Sequence, residues 1–246
     1  MCTLIVAHHL FAREPLVVAA NRDEMLARPA SGPRIMEGAT RVLMPRDEVA
    51  GGSWLGLNEH GLFVGITNRA GVSVDASRRS RGLLVAEALQ ARDARSLHRQ
   101  LAELRVAEFN SFHLLYADSE AAFVTWSDGQ KLTQAALEPG LHVVTERSLG
   151  ADDRGRADRL QKLFSERIVG HVPTIGLLWE LLVLHGPPEE PLAGSCIHAD
   201  AFGYGTRSSF IYVAGEPASA AWIEGHPCQA PLEDLSALVS GLLARS

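Results

Sequence analysis

The second residue of the chain is a cysteine, small enough for methionine aminopeptidase to clear Met1 from in front of it. A chain opened in this way starts with a thiol and an α-amine on the same residue, a nucleophile and its base together. With ordinary pKa values of about 7.7–8.0 for the amine and about 8.5 for the thiol, neither group needs a large shift to work near neutral pH. The plainer reading is a small apolar residue buried near a terminus, so Cys2 needs partners. Asn21-Arg22-Asp23-Glu24 supplies four polar residues directly after the apolar run Leu16 to Ala20. There Asp23 is suited to hold the amine and Arg22 to favour a thiolate or bind a substrate carboxylate, with Asn21 and Glu24 contacting substrate. The same tetrad also reads as a solvated turn with an internal ion pair. A third group is Gly51-Gly52-Ser53-Trp54-Leu55-Gly56 and Thr67-Asn68, where glycines permit close backbone approach and the Asn68 amide is placed to donate to an oxyanion. Trp54 reads either as core or as a substrate contact.

These residues are useful only if strands deliver them. Cys2 to His8 and Leu16 to Ala20 are apolar and partly β-branched around a polar turn, which predicts an N-terminal hairpin. Ser53 to Asn58 and Leu62 to Thr67 predict a second. Helical periodicity follows, with Leu83, Leu84, Ala88 and Leu89 on one face and Leu97, Leu101 and Leu104 on the next. Strand composition returns at Phe112 to Ala117, Ala121 to Ser127, Gln130 to Ala136 and Gly140 to Thr145. Asp153 to Arg167 and Thr174 to Leu184 read as helices, with Thr174 a candidate N-cap. Strands at Arg207 to Ala214 and Ser219 to Ile223 and a helix from about Leu232 close the chain, while Met25 to Glu37 and Gly186 to Gly194 read as loops. Blocks of strands alternating with blocks of helices predict stacked layers in one domain, residues 1–246.

Composition narrows the function classes. Of 246 residues, 46% are hydrophobic and the formal net charge is −6, so no overall positive field attracts nucleic acid or an anionic membrane. No apolar run is long enough to span a bilayer, and three widely spaced cysteines suit a reducing compartment; a cytoplasmic protein acting on a small molecule is the expectation. Cys196 and Cys228 read as packing residues. The ten histidines are scattered, with no metal-ligand spacing, so no metal or cofactor is expected. Arg78, Arg79 and Arg81 form a small basic cluster, either a solvated loop or a contact for an anion.

Met1-Cys2-Thr3-Leu4, Asn21 to Glu24, Gly51 to Gly56, Thr67-Asn68, Ser80-Arg81-Gly82 and Tyr204-Gly205-Thr206-Arg207-Ser208, in this order, resemble the NRDE family, also called the transport and Golgi organisation protein two family. The resemblance implies an α+β, four-layer αββα sandwich of two antiparallel sheets between helical layers, the N-terminal-nucleophile hydrolase type. More distantly the chain is similar to the choloylglycine hydrolase and penicillin V acylase family. That likeness implies Cys2 as nucleophile, Asp23 beside the amine, Asn68 in the oxyanion hole and Arg207 near the thiol. Two positions depart from its pattern. Ala20 stands where that family has an arginine, so Arg22 must reach the site from an adjacent, opposite-facing position; and Glu146 stands near an expected asparagine, an acceptor in place of a donor. The expectation is an N-terminal-cysteine amidohydrolase or acyltransferase acting on non-peptide C–N bonds. The alternative is a binding or carrier protein for haem or acyl-coenzyme A, with Glu146 contacting the ligand.

Overall fold

The structure, a computed structural model, describes residues 2–151, 155–168 and 170–244. Strands β1 (Cys2–His8) and β2 (Leu16–Met25) form the N-terminal hairpin, followed by β3 (Ala30–Met36), β4 (Val42–Asp47), β5 (Leu55–Asn58) and β6 (Phe63–Asn68). Helices α1 (Arg81–Ala88) and α2 (Ala94–Leu101) precede β7 (Phe112–Ala117), β8 (Ala122–Ser127), β9 (Leu132–Leu137) and β10 (Gly140–Val144). After α3 (Gly155–Arg167) and α4 (Ile175–Leu182) come β11 (His198–Ala199), β12 (Tyr204–Val213), β13 (Ser219–Glu224), β14 (Leu232–Asp234) and α5 (Ser236–Leu243). The strands make two antiparallel sheets. One runs β10-β1-β2-β12-β13-β14 with β11 paired to β12, and the other runs β3 to β9 in chain order.

Strand β1 shows why the layers stack as they do. Its side chains alternate between two faces, and both faces are buried. Leu4 and Val6 belong to a core shared with the second sheet, where the Leu4 methyls lie 3.1 Å from the place a Cβ on Gly65 would take, while α1 and α2 pack on that sheet's outer side through Leu84, Val85, Leu97 and Leu101. Ile5 and Ala7 belong to a separate core with Phe164, Ile168, Leu178 and Leu181 from α3 and α4. The order is therefore α3/α4, sheet, sheet, α1/α2, the expected αββα sandwich. Each fully buried Leu or Phe in these layers contributes about 1.5–3 kcal/mol.

Where elements differ from expectation, the cause is local. Strand β3 occupies part of what reads as a loop, Met25 to Glu37, and β4 follows in a stretch to which the sequence assigns no element; Pro33 and Pro45 argue against strands there. Pro33 falls in a register shift between Ser31 and Arg34 on an edge strand, and β4 pairs with β5 only at Val42 and Leu43, so neither proline interrupts a ladder. The C-terminal helix starts at Ser236 after the short strand β14. Thr174 caps α4 as expected, accepting from the Leu177 N–H. The expected start of α3 at Asp153 lies outside the described residues. Among the described residues no helix is long and apolar enough to cross a membrane.

Candidate active site at the start of the first strand

Strand β2 runs on through the Asn21–Glu24 tetrad to Met25, so these four residues sit within a strand that has neighbours on both sides. Cys2 lies opposite Arg22 in the β1–β2 register. Cross-strand partners point to the same face, so Arg22 shares the inter-sheet face with Cys2 and needs no reach from the far side. Asn21 and Asp23 point to the helical layer. The backbone remains common to both faces, and the Asp23 N–H is directed at the Cys2 sulfur.

A cavity of about 160 Å³ opens beside Cys2. It gathers Arg22, Asp23, Glu24 and Arg28 from the first sheet's side, and Asp47, Trp54, Asn68 and Arg81 from the second sheet and α1. The Arg22 guanidinium lies 4.2 Å over the Trp54 ring, 3.6 Å from Glu24 and 3.5 Å from Asp47. It is buried, and its Nη1 has no hydrogen-bond partner. Arg28 Nε completes the group at 2.8 Å from Asp47. Arg81 donates to the Ser111 carbonyl at 2.8 Å; burial lowers its pKa, and the proximity of Cys2 and Glu24 opposes that shift. Asn68, at the end of β6, is exposed at the cavity. Burial pushes the Cys2 thiol up, Asp23 adds to the rise, and the Asp23 N–H and Arg22 pull it down. The cavity thus surrounds a half-buried thiol with three arginines, the carboxylates of Asp23, Glu24 and Asp47 that balance them, and the Asn68 amide.

Behind it lies a buried charge network. Asp23 accepts from Thr206 Oγ1 at 2.6 Å and from Arg156 Nη2 at 3.3 Å, and Arg156 Nη1 reaches Glu146 at 3.3 Å. Tyr204 donates its hydroxyl to the Asp23 carbonyl at 3.1 Å. Burial pushes the Asp23 carboxyl up while Arg156 and Thr206 oppose it. Glu146 is buried against Arg156 and does not line the Cys2 cavity. Arg156 is absent from the expected site, yet a cation in the first turn of a helix opposes the macrodipole, which is the signal that something else holds it there.

Besides Glu146, two further expected residues lie away from the cavity. Asn21 donates to the carbonyls of Leu182 and Ser195 at 2.9 and 2.8 Å and accepts from Ser209, tying β2 to the helical layer away from the cavity. Arg207 is the extra residue of a bulge in β12: Thr206 pairs with Asp23 and Ser208 with Arg22. A bulge re-aims its side chain, and the Arg207 guanidinium donates to the Leu26 and Arg28 carbonyls, holding the loop after β2. Arg81 is the residue of the basic cluster that reaches the cavity; Arg78 donates to the carbonyls of Phe109 and Gly129, and Arg79 pairs with Glu87 and Glu108. Cys196 is buried, as a packing residue is, and Cys228 is half-buried. The two sulfurs approach to 3.6 Å beside His198, because residues distant in sequence meet where three loops converge.

The fold has solved counterparts. A mutant conjugated bile acid hydrolase from Clostridium perfringens superposes with a TM-score of 0.60 at 12% identity, covering 96% of this chain and 93% of that one. Penicillin V acylase from Agrobacterium tumefaciens superposes with a TM-score of 0.50 at 13% identity, covering 91% and 83%. At such identities the likeness concerns the fold, that of the N-terminal-nucleophile hydrolases. In sequence, the bovine (Bos taurus) Transport and Golgi organization protein 2 homolog is 35% identical over 111 residues, 43% of this chain and 40% of its own length. The human (Homo sapiens) homolog is 32% identical over 111 residues, 44% of this chain and 40% of its own. The matched stretch is thus less than half of either relative. The family pattern itself extends over residues 1–226, and the chain belongs to the Transport and Golgi organisation 2 family.

Proposed function

We propose that the protein is an N-terminal-cysteine hydrolase of small linear amides, the amide carrying a carboxylate or similar anionic group. The observation that carries this reading is the convergence of Cys2, Asn68, Arg22 and Arg81 on one small cavity. With Met1 removed, the α-amine of Cys2 takes the thiol proton as the sulfur attacks the substrate carbonyl. The C–S bond forms, the oxygen becomes an oxyanion, and the Asn68 amide donates to it. The amine returns the proton to the leaving nitrogen as the C–N bond breaks. Water then attacks the thioester, releasing the acid and restoring the thiol. Asp23, backed by Arg156 and Thr206, orients the amine, and the unpartnered Arg22 Nη1 receives the substrate's anionic group. Glu24 and Trp54 hold Arg22 in position.

A cavity of about 160 Å³ admits a reacting carbonyl and a short substituent. It favours this reading over a haem or acyl-coenzyme A carrier, since drug-sized ligands ordinarily occupy roughly 300–1,000 Å³. The proposed setting is the cytoplasm, where the thiol stays reduced. The test combines intact-mass measurement of the purified protein, adduct mapping with iodoacetamide, and turnover of a panel of N-acyl amino acids by wild type and Cys2→Ala. The expected result is loss of Met1, labelling at Cys2 and turnover abolished by the substitution. Retained Met1, or labelling elsewhere with Cys2 inert, refutes the mechanism.

A further inference from the structure

The second cluster of sulfur and nitrogen ligands lies on the helical side of the first sheet. Cys196 Sγ is 3.6 Å from Cys228 Sγ and 3.5 Å from His198 Nε2, and His198 Nε2 is 3.1 Å from Cys228 Sγ. His185 completes the group, one ligand atom from each of the four residues lying within 4.8 Å of the others. A tetrahedral zinc ion with Zn–S of about 2.3 Å and Zn–N of about 2.0–2.1 Å requires S···S edges of about 3.8 Å and S···N edges of about 3.6 Å. The three distances match those edges to within about 0.5 Å.

We propose that His185, Cys196, His198 and Cys228 form a structural zinc site. Two thiolates with two imidazoles suit zinc and exclude the hard cations magnesium and calcium, which want oxygen ligands. Four protein ligands complete a tetrahedron and leave no open position, the mark of a structural centre. The ligands come from three separated segments: the residue just beyond α4, the stretch leading into β11, and the turn after β13. His226 stacks on the His198 ring at 3.9 Å and lies 3.7 Å from Asp200, which fixes the ring's orientation. His185 is exposed and gives the ion a route of entry.

The site also bears on the cavity across the sheet. Next to Cys196, the Ser195 carbonyl accepts from Asn21 and the Ile197 N–H donates to Thr206 Oγ1, whose hydrogen goes to Asp23. A zinc ion at Cys196 and His198 pins the segment that positions Thr206, and through it the Asp23 carboxylate. The assignment stands independently of what Cys2 does.

The test uses the full chain produced with added zinc and desalted. Elemental analysis is expected to find about one zinc per chain, and Cys228→Ser and His185→Ala to lose most of it. Replacing zinc by cobalt(II) in the wild-type chain, which needs no variant to fold, is expected to give the intense visible absorption of a tetrahedral centre with thiolate charge transfer. Chelation is expected to lower the Tm of the wild type and leave that of Cys228→Ser unchanged. Equal zinc in wild type and both variants, a weak octahedral cobalt spectrum, or a Cys196–Cys228 disulfide in anaerobically purified protein would overturn the assignment.

Discussion

Arg156 bridges Asp23 and Glu146 with all three side chains less than a tenth exposed. Desolvating three charges is expensive, and the arrangement is tolerable because each carboxylate shares the guanidinium. Replacing Arg156 with Met removes the guanidinium that Asp23 and Glu146 share, and the expected loss is about 3–5 kcal/mol at pH 7. Without the guanidinium, burial pushes the Asp23 carboxyl further up, so the variant's stability is greatest below the ordinary carboxylate range and is lost as pH rises. Urea denaturation should therefore show the gap between wild type and Arg156→Met narrowing toward pH 4; a gap constant with pH would mean that the arginine acts through packing alone. This residue illustrates what the sequence reveals at this scale. Cys2, Arg22, Asp23, Glu24, Trp54 and Asn68 are legible because each stands at a strand end or a glycine-rich turn, and they do meet at one cavity. Arg156 is not, since it sits among other arginines on a helix. Asn21 and Arg207 look like site residues until pairing assigns the first to the helical face and a bulge turns the second away.

At the scale of elements, the second sheet's side of the cavity is set by the contact between the turn before β5 and the first turn of α1. Gly52 and Gly82 let the two backbones touch: a Cβ on Gly52 would lie 2.1 Å from the Gly82 carbonyl carbon, and Ser53 N–H donates to the Gly82 carbonyl at 3.0 Å. Trp54 follows that turn, and Arg81 opens the helix that Ser80 caps through the Gly82 N–H. Gly52→Ala must push turn and helix apart, at an expected cost of about 1–3 kcal/mol, and should slow alkylation of Cys2 as Trp54 and Arg81 move. Gly241, in α5 with nothing within 4 Å of an added Cβ, is the control; Gly241→Ala should stabilise by up to about 1 kcal/mol. Thermal melts and iodoacetamide kinetics on the two variants check both statements. Equal stability of Gly52→Ala and wild type would remove the close contact as an organising feature. The strands and helices themselves are readable from periodicity except where proline masks β3 and β4 and where β11 and β14, of two and three residues, are too short to show a period. Their division into two sheets was not, because every β1 side chain after Cys2 is buried and no polar face marks the solvent side.

In the molecule as a whole, the two sheets are tied together beneath the cavity by polar groups in an apolar layer. Thr67, one residue before Asn68, contacts His113 Nδ1 at 3.0 Å and donates to the Thr145 carbonyl beyond β10 at 3.4 Å, linking one sheet to the other. His113 is fully buried, its Nε2 has no partner, and burial with the nearby Arg69 lowers its pKa from 6.5 to about 4. The ring is therefore neutral in the fold but takes a proton readily once unfolded. A depressed folded pKa contributes stability that is whole above the unfolded value of 6.5 and drains away as pH falls toward about 4. By linkage the loss between pH 7.5 and 4.5 is about 2.5 kcal/mol. In His113→Gln no group at this position titrates, so whatever the substitution costs at pH 7.5, its urea midpoint should fall less steeply with acid than that of the wild type. Parallel declines would place the acid sensitivity of the sandwich in other groups and leave His113 protonated or solvated in the native state.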